Sequence, residues 1–230
     1  VPEEHIVLAV DDKFGQMFPG RYPKLLKGVL GITRAAVGAW STGTARGVTE
    51  SAIEFAKSHK LRGKTLINHQ FAQAHLTNMV MNVLMARAVY MESYFANLTN
   101  LNMGFDKMPR FMNTELMAKL MQTRAYKKIL HSDFLRKAFL KNFVGTKPVQ
   151  DQRVQYMASM AKVVGSDIAM ENCHLAIELA GEAGVRHDRG MEKYFRDAKL
   201  LQIFEGTNQL NRLNIFNNYI GRHIPGVEVY

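Results

Sequence analysis

Between Leu200 and Leu213 the chain reads LLQIFEGTNQLNRL, and Glu205 is its one acidic residue. A carboxylate set between bulky Ile203 and Phe204 on one side and Gly206-Thr207 on the other can carry proton chemistry. An apolar setting disfavours the ionised form and raises a carboxyl pKa. A base works best with a pKa near the operating pH, so such a group suits removal of a weakly acidic proton. A purely structural reading competes with this one. Gly206 takes the left-handed conformation that closes a helix, Thr207 caps the next helix through its hydroxyl, and Glu205 is simply the last residue of the first. Against that stands the helix dipole, whose negative end disfavours a carboxylate. Cys173 is the single cysteine, so no intrachain disulfide forms and an intracellular or organellar setting is expected. No metal site is expected.

The elements that must position Glu205 are legible from proline and from apolar spacing. The six prolines stand at 2, 19, 23, 109, 148 and 225. Proline breaks helix interiors, so the intervals 24–108 and 149–224 are free to hold long helices. Leu76, Met79, Val83, Ala86 and Tyr90 recur at spacings of three and four, as do Val154, Met157, Ala161, Val164 and Ile168. Each set is the stripe of a helix packed in a bundle. The spacing predicts helices over about 23–60, 66–98 and 150–180, the first ending at Arg62-Gly63. A last helical stretch over 191–221 is interrupted near 206. A loop carrying Gly181, Gly184 and Gly190 precedes it. The expected fold is all-α, an antiparallel four-helix bundle over 23–224. It has a short extended lead-in at 1–22, an inserted helical connector at 100–149 and a tail at 225–230.

With 47% hydrophobic residues the chain can bury a sizeable core, and its formal net charge is +10. The excess is concentrated: Lys107 to Lys147 holds ten Lys or Arg against Glu115 and Asp133. There Leu135, Phe139 and Phe143 alternate with Arg136, Lys137 and Lys141, the pattern of a basic amphipathic helix. It reads either as a helix whose apolar face packs on the bundle or as one lying on an anionic membrane or an acidic protein. Nucleic acid is not an expected partner, because no known nucleic-acid fold or aromatic platform accompanies the charge. No apolar run reaches the roughly 18–20 residues of a membrane span; 79–86 is interrupted by Asn82 and followed by Arg87. The opening VPEEH has neither the charged nor the apolar region of a secretory signal. It also lacks an initiator Met, which suggests a processed or truncated chain.

The segment RDAKLLQIFEGTNQLNR, Arg196 to Arg212, resembles the C-terminal signature of the acyl-CoA dehydrogenases, roughly R-D-x-K/R-x-x-x-I-Y/F-E-G-T-x-x-I-x-R. Other parts are similar in order and spacing. VPEEHIVL resembles the end of that family's β-domain. Thr33-Arg34-Ala-Ala resembles the start of its active-site helix, and MASMAKVVGSDIA (157–169) its third bundle helix. The resemblance covers most of the chain except 100–149. It implies an FAD-dependent oxidation of an acyl-CoA thioester to the trans-2-enoyl-CoA. In that chemistry a glutamate removes the proton beside the thioester carbonyl, a hydride passes to the flavin, and electrons leave to an electron-transfer flavoprotein. Carried over by position, Glu205 is the base. Some relatives place the base just before the helix-one arginine, where this chain has Thr33. Thr207 and Gln209 match flavin contacts, and His59 and Gln70 fall at further cofactor positions. Arg34 and Gly206 lie on the substrate side, although Arg34 read alone is equally a surface salt-bridge partner. The resemblance also implies a homodimer or homotetramer in a mitochondrial matrix or bacterial cytoplasm.

The chain departs from the family at two motifs. R-x-x-F-G reads His59-Lys60-Leu61-Arg62-Gly63, and Q-x-x-G-G-x-G reads Glu178-Leu179-Ala180-Gly181-Glu182-Ala183-Gly184. Carboxylates beside a pyrophosphate repel it, while Lys60 and Arg62 offer partial compensation. Two readings follow: a diverged working dehydrogenase, or a flavin-free relative that keeps the bundle for assembly in a larger complex.

Overall fold

The computed structural model describes residues 21–100 and 148–227. The lead-in over 1–20, the basic connector over 101–147 and residues 228–230 lie outside the described residues. The chain divides into two units. One comprises Val1–Val29 and Leu101–Lys147 and is described only in the first turns of its helix. The other, Leu30–Asn100 with Pro148–Tyr230, contains everything that follows.

Helix α1 runs Arg21–Ser58, α2 Gln70–Asn100, α3 Pro148–Ala180, α4 Met191–Leu201 and α5 Asn208–Ile215. The long helices occupy the proline-poor intervals. Pro148 opens α3 in the first turn, where its missing N–H costs nothing. The expected apolar stripes face inward: Leu76, Met79, Ala86, Val154, Ala161 and Ile168 are buried, and Val83, Tyr90, Met157 and Val164 are half-buried.

Chain direction follows from which residues meet. A side chain at Gly31 would strike Val154, one at Gly38 would strike Ala161, and Thr49 bonds Asn172. The numbers rise together, so α1 and α3 are parallel. Asn82 bonds Asn172 while Glu92 pairs with Arg153, so α2 is antiparallel to α3. Asn208 bonds Ser166 and Asn214 bonds Ser159, so α5 is antiparallel to α3 as well. The result is an up-down-up-down bundle with α4 and α5 sharing the fourth position. Its parallel pair touches because glycine removes the side chain at the crossing. A Cβ on Gly38 would lie 2.9 Å from the Ala161 backbone, and one on Gly165 3.0 Å from the Gly38 carbonyl oxygen.

Most polar groups in this core are paired, as burial requires; among the described residues Ser93 Oγ and Asn211 Oδ1 are buried without a partner. Asn172 donates to Thr49 Oγ1 at 3.1 Å and to the Met79 carbonyl at 3.0 Å, and accepts from Asn82 at 2.9 Å. One carboxamide thus ties three helices at a single level. On the outside of α2, Met81, Leu84, Met85, Met91 and Leu98 are exposed, an apolar stripe at helical spacing.

One expectation is corrected. The first helix does not continue to Arg62-Gly63. It ends at Ser58, and the chain turns back in a hairpin that pairs Lys60 with Thr65 and Leu61 with Lys64. Arg62 and Gly63 have φ of 51° and 83°, so both central residues are left-handed, as in the two-residue turn that matches strand twist. The strands are two residues long, too short for alternation to show. The 181–190 loop, for its part, is built of two short 3₁₀ turns, Gly181–Val185 and His187–Arg189. Among the described residues no helix is long and apolar enough to cross a membrane.

Candidate active site

Thr33 and Arg34 stand on neighbouring faces of α1, and the chain between α4 and α5 comes to meet them. The Thr33 hydroxyl donates to Glu205 Oε2 at 2.7 Å. The Arg34 Nε–H donates to the Glu205 carbonyl at 3.2 Å, and its Nη1 donates to Ser159 Oγ at 3.3 Å. Arg34 is 7% exposed, so its reading as a surface salt-bridge partner is wrong. Burial lowers its pKa and Glu205 opposes the shift, yet an arginine stays charged. Glu205 is therefore held at both ends, carboxylate by a hydroxyl and backbone by a guanidinium. The ring of Phe204, the residue before Glu205, stands 6.3 Å from that of Trp40.

The helix does not end at Glu205, contrary to the structural reading. It ends at Leu201, and the next carbonyl, of Gln202, accepts from the Lys162 ammonium at 2.9 Å and from the Asn208 N–H at 3.1 Å. The chain then makes two left-handed residues in succession, Glu205 at φ 57° and Gly206 at φ 86°. At Glu205 this costs about 1–2 kcal/mol that glycine would not incur. Strain of this kind persists only where surrounding contacts over-determine it. Asn211 supplies them: its Nδ2 reaches the carbonyls of Glu205, Gly206 and Thr207 at 3.4, 2.7 and 3.1 Å. Thr207 caps α5 as expected, its hydroxyl accepting from Leu210 N at 3.3 Å. Gln209 is exposed on the first turn of α5, which carries no acidic residue.

Lys162 is the residue the sequence reading passed over. It is fully buried, and its ammonium donates to the Gln202 carbonyl and to Asn208 Oδ1. Around it Asp167 accepts from Gln202, Asn208 and Arg212. A lysine in an otherwise apolar and small-residue stretch, MASMAKVVGS, was the available signal. Burial pushes its pKa down to about 8, with Asp167 opposing and Arg34 and Arg212 adding to the fall. The folded protein therefore binds fewer protons than the unfolded chain between pH 8 and the ordinary 10.5. Stability contributed by this site is lowest below pH 8 and rises through that window, by something on the order of 2–3 kcal/mol. The expected result is that the melting temperature of wild type rises relative to that of Lys162→Met between pH 8 and 10. A difference that stays flat with pH contradicts the assignment. Cys173, also buried, has its thiol pushed up to about 12, which leaves it no nucleophile at neutral pH.

The structure does not bring all the expected residues together. Glu205, Gly206, Thr207, Arg34 and Gln209 gather around the α4–α5 break. His59 and Gln70 lie at the other end of α1, beside the hairpin. Thr33 and Ser58 are separated by about 37 Å along the helix axis at 1.5 Å per residue. There the His59 ring stacks on Phe55 at 4.8 Å, and Lys60, Arg62 and Lys64 are exposed. Glu178 lies 3.5 Å from His75 Nε2, and Glu182 is exposed in its turn. Within one chain, then, the flavin residues expected from the sequence form two separate sets. The set at α5 suits a polar or anionic group: a helix N-terminus without acids, a threonine hydroxyl and an exposed glutamine.

An up-down-up-down bundle whose fourth helix breaks at a buttressed glutamate defines a recognisable class of protein. A family model described as the acyl-CoA dehydrogenase C-terminal domain matches residues 24–132 and 140–220, and the chain belongs to that family. Probable acyl-CoA dehydrogenase FadE25 of Mycobacterium tuberculosis is 28% identical over 196 residues, covering 85% of this chain and 37% of the relative. Among solved structures, butyryl-CoA dehydrogenase from Megasphaera elsdenii is 22% identical with a TM-score of 0.55, covering 84% of this chain and 36% of that one. The flavoprotein nitroalkane oxidase is 19% identical with a TM-score of 0.59, covering 88% and 36%. These two likenesses establish the fold. The chain spans little more than a third of the length of the curated relative.

Proposed function

We propose that this chain is the base-bearing helical domain of an acyl-CoA dehydrogenase, with Glu205 as the group that removes the α-proton. The observation that carries the reading is the doubly held Glu205, carboxylate on Thr33 and carbonyl on Arg34, at a backbone conformation that costs energy. A base fixed in this way loses little entropy when it meets substrate. The acyl-CoA thioester presents its α-carbon to the carboxylate. Glu205 takes the α-proton as the C–H bond breaks, and the electron pair left behind forms the α,β double bond as a hydride departs from the β-carbon. FAD, when bound, accepts that hydride. Thr207 and Gln209 would hold it at the N-terminus of α5, with His59 and Gln70, at the distant hairpin end, serving a second copy of the chain. The exposed apolar stripe on α2 supports self-association into a homodimer or homotetramer, since soluble monomers rarely leave such stripes open. An electron-transfer flavoprotein is the acceptor this reading implies.

A second reading is a flavin-free subunit that uses the same bundle for assembly. It is favoured by the hairpin end, where His59 and Arg62 replace the family's arginine and phenylalanine and where Glu178 and Glu182 add negative charge. Flavin colour separates the two. Purified complete protein is expected to show a flavin absorption band that an acyl-CoA bleaches under anaerobic conditions. Absence of the band even after FAD is added overturns the dehydrogenase reading in favour of the assembly one.

A further inference from the structure

Lys162 has no counter-ion within ion-pair distance among the described residues, and this makes it unusual. A buried lysine is ordinarily paired with a carboxylate. Asp167 is near enough to raise its pKa, but that carboxylate is occupied by Gln202 Nε2, Asn208 Nδ2 and Arg212. The lysine instead donates to two neutral oxygens, and these are not arbitrary. Gln202 is the residue at which α4 stops, and Asn208 is the residue at which α5 starts. The chain between them is the strained turn with Glu205 at its centre. Gln202 O also accepts from Asn208 N, so the lysine sits where the two ends of the turn close on each other. Asn208 is fixed from its other side by Ser166, which exchanges hydrogen bonds with the carboxamide.

We propose that Lys162 is a positioning residue: its ammonium staples Gln202 to Asn208 and so holds the turn that presents Glu205. The catalytic consequence rests on the dehydrogenase reading, whereas the staple itself does not. Without the ammonium, the Gln202 carbonyl and Asn208 Oδ1 each lose a shared partner, and the turn between them is free to shift. That would rotate Glu205 away from Thr33. A lysine is suited to this task because one ammonium offers three donors from a long stem, and α3 carries it in from a rigid element.

The test uses Lys162→Met in the complete protein, with two readouts. The first is hydrogen exchange of the Ile203, Phe204 and Asn208 amides, which are bonded to Leu200 O, Leu200 O and Gln202 O. These are expected to exchange about tenfold faster, while amides of α2 between Leu76 and Ala86 keep their wild-type rates. The second is kinetic: kcat is expected to fall about 30- to 100-fold with KM little changed, the mark of a misplaced base rather than lost binding. Should Lys162→Met fail to fold, Asn208→Ser removes the other half of the staple and is held to the same expectations. Exchange of the turn amides within about twofold of wild type overturns the staple, since local opening would then be unaltered. Altered exchange in a protein whose wild type turns over no acyl-CoA leaves the staple standing and defeats the dehydrogenase reading instead.

Discussion

Replacing Glu205 with glutamine in the complete protein is expected to lower acyl-CoA turnover by roughly three orders of magnitude, within the range for loss of a positioned general base. The substitution is close to isosteric. A glutamine carbonyl still accepts from the Thr33 hydroxyl, and the backbone bonds from Arg34 and Asn211 to the residue-205 carbonyl do not involve the side chain. The turn should therefore keep its shape and any bound flavin its absorption. What is lost is the basic oxygen. The KM should change little, because the carboxylate acts on a C–H bond and adds nothing uniform to binding. Steady-state rates measured at saturating acyl-CoA check the expectation, and activity within about threefold of wild type would remove the assigned role.

The second large effect is expected at Gly206, through geometry and not through loss of a group. Gly206 has φ 86°, and a Cβ there would lie 3.3 Å from Asn211 Nδ2 and 3.7 Å from an Arg34 terminal nitrogen. Alanine must therefore both adopt a left-handed backbone and press on Asn211, one of the two side chains that hold the Glu205 carbonyl, while only touching Arg34. The backbone alone costs about 1–2 kcal/mol. A displacement of the base by about 1 Å costs on the order of 100-fold in rate. Gly206→Ala is expected to show both, a lower urea midpoint and a kcat down by about two orders of magnitude. A variant with wild-type midpoint and wild-type kcat would mean that the turn is not what places Glu205.

The bundle itself was legible because its signals are local. Proline exclusion and three-four spacing depend on neighbours within one or two turns of helix, and α2 and α3 carry both clearly. The Thr207 cap was legible for the same reason, since hydroxyl and bonded amide are three residues apart. The hairpin at Lys60–Thr65 was not, because two-residue strands have no period and the turn relies on a left-handed Arg62 that its residue type does not announce. The end of α4 was read at the wrong residue. Past that end the Gln202 carbonyl is bonded to Lys162, forty residues earlier, and the chain turns left-handed at Glu205, neither of which the local residue types announce. The site shows the same contrast. Glu205 stood out by type and setting, and the family resemblance pointed to Arg34. The Thr33 contact joins residues 172 apart, and the Asn211 clamp depends on a backbone path that appears only once the turn is folded. Contacts of that range are decided by packing, and a single sequence does not display them.

The proposed role of Glu205 is removal of the proton from the α-carbon of an acyl-CoA. The most direct measurement mixes flavin-loaded complete protein anaerobically with acyl-CoA carrying either hydrogen or deuterium at that carbon, and follows loss of the flavin band. Bleaching is expected to be slower with the deuterated thioester in wild type and almost absent with Glu205→Gln. Bleaching at equal rates with both thioesters, or at an undiminished rate in Glu205→Gln, would contradict that role.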